Sequence, residues 1–346
     1  MKFYQNNMFL EQFKMKNFFF LMLIFSTMIT INSSSWISAW MGMEINLMSF
    51  IPLMLMKNKM FKSSNSMMIY FLIQASSSCF LLFFILMNKM EIFYYKNNLM
   101  NYFIQFSLLM KLGAAPFHWW TPKMIYLLNW KNCFILLTWQ KLNPLILISL
   151  TKFSNLIYYS IMISMIIGSI IGMNQTSLKL IITYSSINHI SWLMISMMLN
   201  FYIFLIYFII YFITILLICM FLNNLNINYL NQMFKNNINI YMKILLISLF
   251  FSLAGIPPML GFLPKLKILM LMMNNKLILE SIMFIIFSLI TLLFYMYPMM
   301  SSLILYKMNS KWIMMKFNMM NFLLLILMMN MILSMIMILP MTFMKN

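Results

Sequence analysis

Two stretches of this sequence interrupt long apolar segments: Lys111-Leu-Gly-Ala-Ala-Pro116 and Leu253-Ala-Gly-Ile-Pro-Pro-Met-Leu-Gly-Phe-Leu-Pro-Lys265. Proline removes a backbone donor and breaks the helical hydrogen-bond ladder, so each stretch predicts a helix that stops and restarts. Each stretch also carries a lysine within otherwise apolar surroundings. In lipid, the backbone groups freed at such a break must be buried in protein or line a wet cavity. The two breaks therefore predict an interior with a function beyond packing.

The composition predicts an integral membrane protein. Of the 346 residues, 64% are hydrophobic and 8% are charged, whereas a soluble domain usually carries about 25% charged residues. Apolar runs of about 20 residues, the length needed to cross a bilayer, recur along most of the chain. The fold class predicted is all-α, with eleven transmembrane spans near residues 18–32, 36–56, 67–87, 99–128, 132–150, 156–173, 177–199, 201–222, 239–273, 277–305 and 321–340.

The two broken segments hold matching places, because each is the fourth span in a run of five. Interrupted segments at corresponding positions of two halves are typical of inverted-repeat transporters with a midplane site. We therefore expect four parts: a polar N-terminal segment (1–17), a first five-helix repeat (18–150), a second five-helix repeat (151–305), and a linker with a C-terminal helix (306–346). An odd number of spans per repeat makes the second copy enter the membrane from the opposite side.

The loop lysines predict an orientation. With eleven spans, most of them, among them Lys57, Lys179 and Lys235, fall on the side that holds the N-terminus. Because the residue usage indicates a mitochondrial gene, the positive-inside rule then places the N-terminus in the mitochondrial matrix.

The residue usage indicates an animal mitochondrial genome rich in A and T. The chain contains 47 Met, 23 Lys and 4 Glu, but no Val, Asp or Arg. The abundant residue types have codons that can be written with A and T alone, and ATA encodes Met in the animal mitochondrial code. Met as a flexible core filler explains its tolerance, but not the joint loss of the other three residue types.

Charged groups inside the predicted spans are the candidate functional residues: Glu44, Lys111, Lys141 and one of the pair Lys265 and Lys267. An ionisable group at membrane depth costs at least about 2.5–3.5 kcal/mol and usually faces the bundle interior. Burial disfavours the charged form of an amine and a nearby carboxylate favours it, so a buried lysine can load and release a proton. Static structural pairs are the alternative, but one carboxylate cannot pair with three lysines.

Two histidines are further candidates, since imidazole titrates near neutrality and can relay protons. His118 lies in the first broken segment and His189 lies in the predicted seventh span. Each is equally well interpreted as a hydrogen-bonded packing residue. The three cysteines, Cys79, Cys133 and Cys219, have no metal or redox spacing.

The residue types and motifs present exclude several functions. Two histidines cannot ligate two haems, and no iron–sulfur cysteine pattern is present. No glycine-rich nucleotide loop exists among the six glycines. The lysines are scattered singly between apolar runs, without the basic stripe of a nucleic-acid-binding protein. We therefore expect that this chain binds neither NADH, nor a metal, nor nucleic acid, and carries no electrons.

Five motifs, in order along the chain, resemble those of the NADH-ubiquinone oxidoreductase chain 2 family, which comprises antiporter-like membrane subunits of respiratory complex I. They are Trp40-Met-Gly-Met-Glu44-Ile-Asn46, Lys111-Leu-Gly-Ala-Ala-Pro-Phe-His118-Trp-Trp, Thr138-Trp-Gln-Lys141-Leu-Asn-Pro144, Ser185-Ser-Ile-Asn-His189 and Leu253 through Lys265. The resemblance runs from about residue 18 to the end of the chain, and the length also resembles this family.

The resemblance implies roles by position. Glu44 resembles the carboxylate that modulates the first lysine, Lys111 the lysine before the break, and Lys141 the lysine that links two half-channels. Lys265 resembles the lysine of the second broken helix, so it is preferred to Lys267. The family commonly has an acidic residue after the proline that follows His-aromatic-aromatic, whereas here Lys123 follows Pro122.

The function implied is proton translocation through buried lysines, coupled to quinone reduction in other subunits. NAD and ubiquinone would be used by the whole complex and not bound by this chain. The implied partners are the other membrane-arm subunits and the lipid of the mitochondrial inner membrane. A stand-alone cation/proton antiporter of the same fold is the alternative, and a structural spacer that no longer pumps is disfavoured by the retained lysines.

Overall fold

The computed structural model describes the backbone of residues 2–55, 60–89, 97–235, 240–257 and 259–306, and the side chains of 15–55, 64–89, 99–232, 245–257 and 259–296. Every regular element in these ranges is helical, apart from an isolated β-bridge between Ser177 and Tyr229. The helices are α1 (Lys2–Ile31), α2 (Trp36–Leu55), α3 (Met60–Lys89), α4 (Asn97–Leu112), a 3₁₀ turn (Phe117–Trp119), α5 (Trp120–Leu127), α6 (Trp130–Leu137), α7 (Trp139–Leu150), α8 (Asn155–Met173), α9 (Leu178–Leu199), α10 (Phe201–Leu225), α11 (Leu230–Lys235), α12 (Ile240–Ala254), α13 (Phe262–Asn274) and α14 (Ile278–Tyr306).

The all-helical, multi-pass membrane fold predicted from the sequence is confirmed. Within the described ranges, six segments are long and apolar enough to cross a membrane: Trp36–Leu55, Ser64–Lys89, Trp130–Leu150, Asn155–Met173, Phe201–Leu225 and Ile278–Met296. The predicted eleventh span, residues 321–340, lies outside the described residues. So does almost all of the predicted C-terminal part, 306–346.

Neither of the two Gly/Pro stretches continues as a helix, as predicted. The predicted fourth span divides into α4, the 3₁₀ turn and α5, and the predicted ninth span divides into α12 and α13. Other parts of the chain do not bury either break completely, because Pro116 and Pro257 are exposed. At the first break, Gly113, Ala114 and Ala115 are nevertheless buried.

One local difference from the prediction has a physical cause. The predicted fifth span is divided at Thr138, which lies at φ −118° and ψ −68° between α6 and α7. Its hydroxyl donates to the carbonyl of Phe134 at 2.8 Å, a side-chain bond of the kind that competes with regular helix geometry. At the N-terminus, helix α1 begins at Lys2 and so includes most of the predicted polar segment, residues 1–17.

The described residues form two compact units, one ending at Ile163 and one beginning at Ser164. In the first unit, α1 and α2 approach closely at Gly42, where a Cβ would lie 2.5 Å from Thr30 Cγ2. In the second unit, α9 is buried on every face from Ser185 to Met197 and packs against α10 and α13. A helix that is buried all round is a core element of a membrane bundle.

Large apolar side chains cover the outer faces of several helices. Phe25 is 61% exposed, Tyr202 68% and Leu279 77%. Such surfaces would be unfavourable in water but suit contact with lipid. The polar groups described next lie in the interior.

Candidate functional site

The first break ends helix α4 with a glycine in the left-handed region. Gly113 has φ +67°, and the amide of Ala114 donates to the carbonyl of Leu109 at 3.3 Å. This is the six-to-one bond of a Schellman cap, which favours glycine because it lacks a Cβ. A Cβ at Gly113 would also overlap the Thr121 side chain, so no larger residue fits there without a shift.

Neutral side chains satisfy the last carbonyls of α4. Gln74 Nε2 on α3 donates to the carbonyl of Lys111 at 3.2 Å, and Trp120 Nε1 donates to the carbonyl of Met110 at 3.2 Å. The Lys111 ammonium is therefore not needed to cap its own helix. It is 6% exposed and lies 3.8 Å from the sulfur of Met43.

Glu44 lies next to Met43 on α2 and interacts electrostatically with Lys111. The two side chains are not in a direct ion pair, and among the described residues Glu44 Oε1 is buried without a hydrogen-bond partner. A carboxylate near a buried amine favours the charged amine. The arrangement is thus a coupled pair of charges separated by more than contact distance.

A string of polar side chains links three helices beside Lys141. Tyr70 on α3 donates to Gln140 Oε1 at 3.1 Å, and Gln140 Nε2 donates to Asn46 Oδ1 on α2 at 3.0 Å. Gln140 immediately precedes Lys141, which is 4% exposed on α7. The side-chain amide of Asn143, two residues after Lys141, is buried, and neither its nitrogen nor its oxygen has a hydrogen-bond partner within the described part of the chain.

The second break repeats the backbone geometry of the first. Gly255 has φ +79°, and the amide of Ile256 donates to the carbonyl of Phe251 at 3.3 Å, again a six-to-one bond. Here, however, the capping donor is a charged group. Lys265, in the first turn of α13, donates from Nζ to the carbonyls of Leu253 at 3.2 Å and Ala254 at 2.7 Å.

Two glycines make this contact possible. A Cβ at Gly255 would lie 2.9 Å from Lys265 Cδ and 3.1 Å from its Nζ, and a Cβ at Gly261 would overlap the Ser252 carbonyl. The start of α13 therefore packs tightly against the end of α12. Lys265 is 6% exposed, whereas Lys267 is only half-buried. Burial therefore favours Lys265 as the interior lysine, as the resemblance does.

The two histidines lie in different surroundings. His189 is buried on α9, with Nδ1 2.8 Å from the Tyr207 hydroxyl and its ring 5.0 Å from that of Tyr211. His118 is half-buried in the 3₁₀ turn, with Nδ1 3.2 Å from the carbonyl of Pro116. Only His189 is thus part of a buried polar cluster.

The structure brings most of the candidate residues together within their own units. In the first unit, Lys111 on α4 contacts Met43, the residue before Glu44 on α2, and Asn46 joins the helix of Glu44 to the helix of Lys141 through Gln140. In the second unit, His189 lies one turn before Trp192, whose ring is 5.8 Å from Lys265 Nζ.

Sequence reasoning missed the groups that hold these residues. They are Tyr70, Gln74, Gln140, Trp192, Tyr207 and Tyr211. The adjacency of Gln140 to Lys141 and the helical spacing of His189 and Trp192 were the available signals, but their partners lie on distant helices. Lys123, where the family commonly has an acid, is exposed and lies 5.5 Å from the Trp119 ring.

Metal chemistry finds no support in the part of the chain that the structure describes. No group of three or more His, Cys, Asp or Glu side chains converges there. None of the cysteines at positions 79, 133 and 219 forms a disulfide. Among the described side chains, the buried titratable groups include the amines of Lys111, Lys141 and Lys265, the imidazole of His189 and the phenols of Tyr207 and Tyr211.

Broken helices, buried amines and lipid-compatible outer faces define a class, the multi-pass helical membrane proteins that move ions through their interior. The model of the family described as NADH:quinone oxidoreductase/Mrp antiporter, TM, matches residues 33–291. The chain belongs to the NADH-ubiquinone oxidoreductase chain 2 family: it is 43% identical to that protein from Anopheles gambiae over 288 residues, 81% of this chain and 83% of the relative.

Solved structures show the same fold at low sequence identity. A chain of respiratory complex I from Thermus thermophilus matches with a TM-score of 0.74 and 16% identity, over 83% of this chain and 70% of that chain. A chain of the Mrp complex from Dietzia sp. matches with a TM-score of 0.69 and 14% identity, over 82% of this chain and 59% of that chain.

Proposed function

We propose that this chain translocates protons across the mitochondrial inner membrane as a subunit of respiratory NADH:ubiquinone oxidoreductase, through the buried lysines Lys111, Lys141 and Lys265. The observation that carries the proposal is that all three amines are 4–6% exposed and that two of them adjoin the helix breaks. Amines at such depth are costly and are retained where they do work. Membership of the chain 2 family supports the assignment to this complex.

The lysines would act by changing charge in sequence. Glu44 favours the ammonium form of Lys111 when its carboxylate is close and charged. Loss of that influence would release the proton toward Lys141, which the resemblance makes the link between two half-channels. Lys265 would be the corresponding group at the second break. His189, hydrogen-bonded to Tyr207, would serve as a relay, and His118 at the first break is a second relay candidate.

The architecture proposed is eleven spans in two inverted five-helix repeats, residues 18–150 and 151–305, preceded by segment 1–17 and followed by 306–346. The matching caps support the repeat, because Gly113 and Gly255 end their helices with the same left-handed conformation and the same six-to-one bond. The loop lysines support an N-terminus in the matrix.

The role proposed is non-redox. NAD and ubiquinone would be used by other subunits of the complex, and this chain would bind no cofactor. Its partners would be the neighbouring membrane-arm subunits and lipid. The energy of quinone reduction would reach this chain through those neighbours and bias the charge states of its lysines.

The alternative is a stand-alone cation/proton antiporter of the same fold. The likeness to the Mrp complex favours the shared fold but does not distinguish the two functions. Blue-native electrophoresis of mitochondrial membranes distinguishes them. We expect the chain to migrate with NADH-oxidising activity, and its migration as a free band would favour the antiporter.

The lysine mechanism is tested with a matched pair of substitutions. Lys111→Met removes a buried amine, and Lys123→Met removes an exposed amine close to the same break. In sealed vesicles that contain the complex, Lys111→Met should lower proton uptake per NADH oxidised, whereas Lys123→Met should not. Equal values for both variants would contradict the mechanism.

A further inference from the structure

Among the described side chains, no carboxylate holds Lys265. Its two hydrogen bonds go to backbone carbonyls, and within the part of the chain with described side chains no acid forms an ion pair with it. An ammonium buried in this way needs other negative or electron-rich groups to offset the lost hydration. The end of α12 supplies one such group.

Helix ends leave their last carbonyls without intrahelical partners, and these carbonyls form the negative end of the helix dipole. The cap at Gly255 satisfies the carbonyl of Phe251 and leaves those of Leu253 and Ala254 open to Lys265. The ammonium thus occupies the place where a half-helix C-terminus binds a cation in broken-helix transporters.

Trp192 provides the second group. The face of its indole ring lies 5.8 Å from Lys265 Nζ, within the range of about 6 Å for a cation–π interaction. The Trp192 side chain is 1% exposed and packs against Phe284 in a T-shaped arrangement, with ring centroids 4.7 Å apart and planes at 88°. An aromatic ring packed in this way faces the ammonium without needing to reorient.

We propose that Trp192 is a positioning residue for Lys265, and that its ring and the carbonyls of Leu253 and Ala254 form a carboxylate-free cradle for the ammonium group. The function of this cradle rests on the proton translocation proposed above. The cradle keeps the charged lysine at the end of α12, so that the proton can be stored there without an acid among the described side chains.

The direct test is the chemical reactivity of Lys265. The assembled complex is treated with formaldehyde and cyanoborohydride, which methylate a lysine only when its amine is neutral and free to react. Methylation of Lys265 is then followed by mass spectrometry. Trp192→Leu should raise its rate about fivefold, which corresponds to about 1 kcal/mol of cation–π stabilisation. Trp192→Phe, which keeps an aromatic face, should stay within about twofold of the natural chain.

Two controls separate the aromatic face from packing. Trp130→Leu removes a comparable buried indole from α6 in the first unit and should leave the methylation of Lys265 unchanged. The methylation of Lys141 in the same samples reports general loosening and should stay constant. If Trp192→Leu fails to assemble, Trp192→Met, flexible and apolar, is compared with Trp192→Phe in its place.

Two results would overturn the cradle. One is an unchanged rate in Trp192→Leu, and the other is the same increase in Trp192→Phe as in the aliphatic variant, which would indicate lost volume instead of a lost aromatic face. Proton uptake supplies a separate readout. Trp192→Leu should lower uptake in the natural background but cause no further loss in a Lys265→Met background.

The two proposals fail in different ways. If Lys265→Met leaves proton uptake unchanged, the translocating role of Lys265 is wrong, while the methylation rates still decide whether the cradle exists. If the methylation rates contradict the cradle, a loss of uptake in Lys265→Met would still support the translocating role.

Discussion

Substitution of Gly255 by alanine tests the geometry of the second break most directly. The residue lies at φ +79°, where an alanine costs about 1–2 kcal/mol because its Cβ approaches the following carbonyl. The added Cβ would also lie 2.9 Å from Lys265 Cδ and 3.1 Å from its Nζ. These are atoms at the flexible end of a side chain, so the lysine is the group that moves.

Displacing the ammonium removes at least one of its two hydrogen bonds to the end of α12. A hydrogen bond from a charged donor contributes about 1.5–3 kcal/mol. Together with the backbone strain, Gly255→Ala should cost about 2.5–5 kcal/mol. We expect a complex that assembles with reduced thermal stability and takes up fewer protons per NADH oxidised.

Sealed vesicles measured for proton uptake and NADH oxidation give the activity, and blue-native gels after graded heating give the stability. Gly172→Ala on α8 is the matched control, because Gly172 is not in the left-handed region and the atoms nearest to its Cβ would be in the Phe294 ring, at 3.1 Å and 3.4 Å, and the Tyr184 Cβ at 3.4 Å. The control should cost less than Gly255→Ala, because it adds no left-handed backbone strain. Wild-type thermal stability and wild-type proton uptake in Gly255→Ala would show that the cap at Gly255 does not depend on glycine.

Three further substitutions probe the first unit. Lys141→Met should leave the complex assembled and impair proton uptake, since a buried charge is removed without loss of bulk; natural uptake and turnover would make Lys141 structural. Glu44→Gln keeps the shape of the side chain but removes the charge that acts on Lys111. Proton uptake per NADH oxidised should therefore fall, while blue-native gels show unchanged assembly. Undiminished uptake would contradict the modulating role of Glu44. Gly113→Ala should lower the melting temperature of the complex more than Gly172→Ala does, because it combines about 1–2 kcal/mol of backbone strain with a clash at Thr121; equal melting temperatures would contradict this.

The helix breaks were predictable because their cause is local. Glycine and proline change the backbone within the stretch where they occur, so the ends of α4 and α12 could be read from Gly113 and Gly255. The apolar runs similarly predicted the positions of α2, α8 and α10, since run length is itself the signal.

The groups that hold the buried lysines were not predictable, because they come from other helices. Gln74 caps α4 from α3, and Trp192 reaches Lys265 from α9. No periodicity in either helix marks these residues, since a glutamine or tryptophan there is equally compatible with ordinary packing. The division of the fifth span at Thr138 was missed for a related reason, as a threonine within an apolar run seldom ends a helix.

The apolar outer faces of the helices have a consequence for how the gene can change. Side chains such as Phe25 and Leu279 project outward from the chain, and a lipid tail makes little distinction between one aliphatic or aromatic group and another. Single-base changes that exchange Leu, Ile, Met and Phe should therefore accumulate, at almost no energetic penalty, where these faces contact lipid and not a neighbouring subunit. The stretch of α9 from Ser185 to Met197, enclosed on all sides, offers no such freedom. Amino-acid differences between populations that carry this gene should be frequent on the lipid-contacting faces and rare in α9 from Ser185 to Met197.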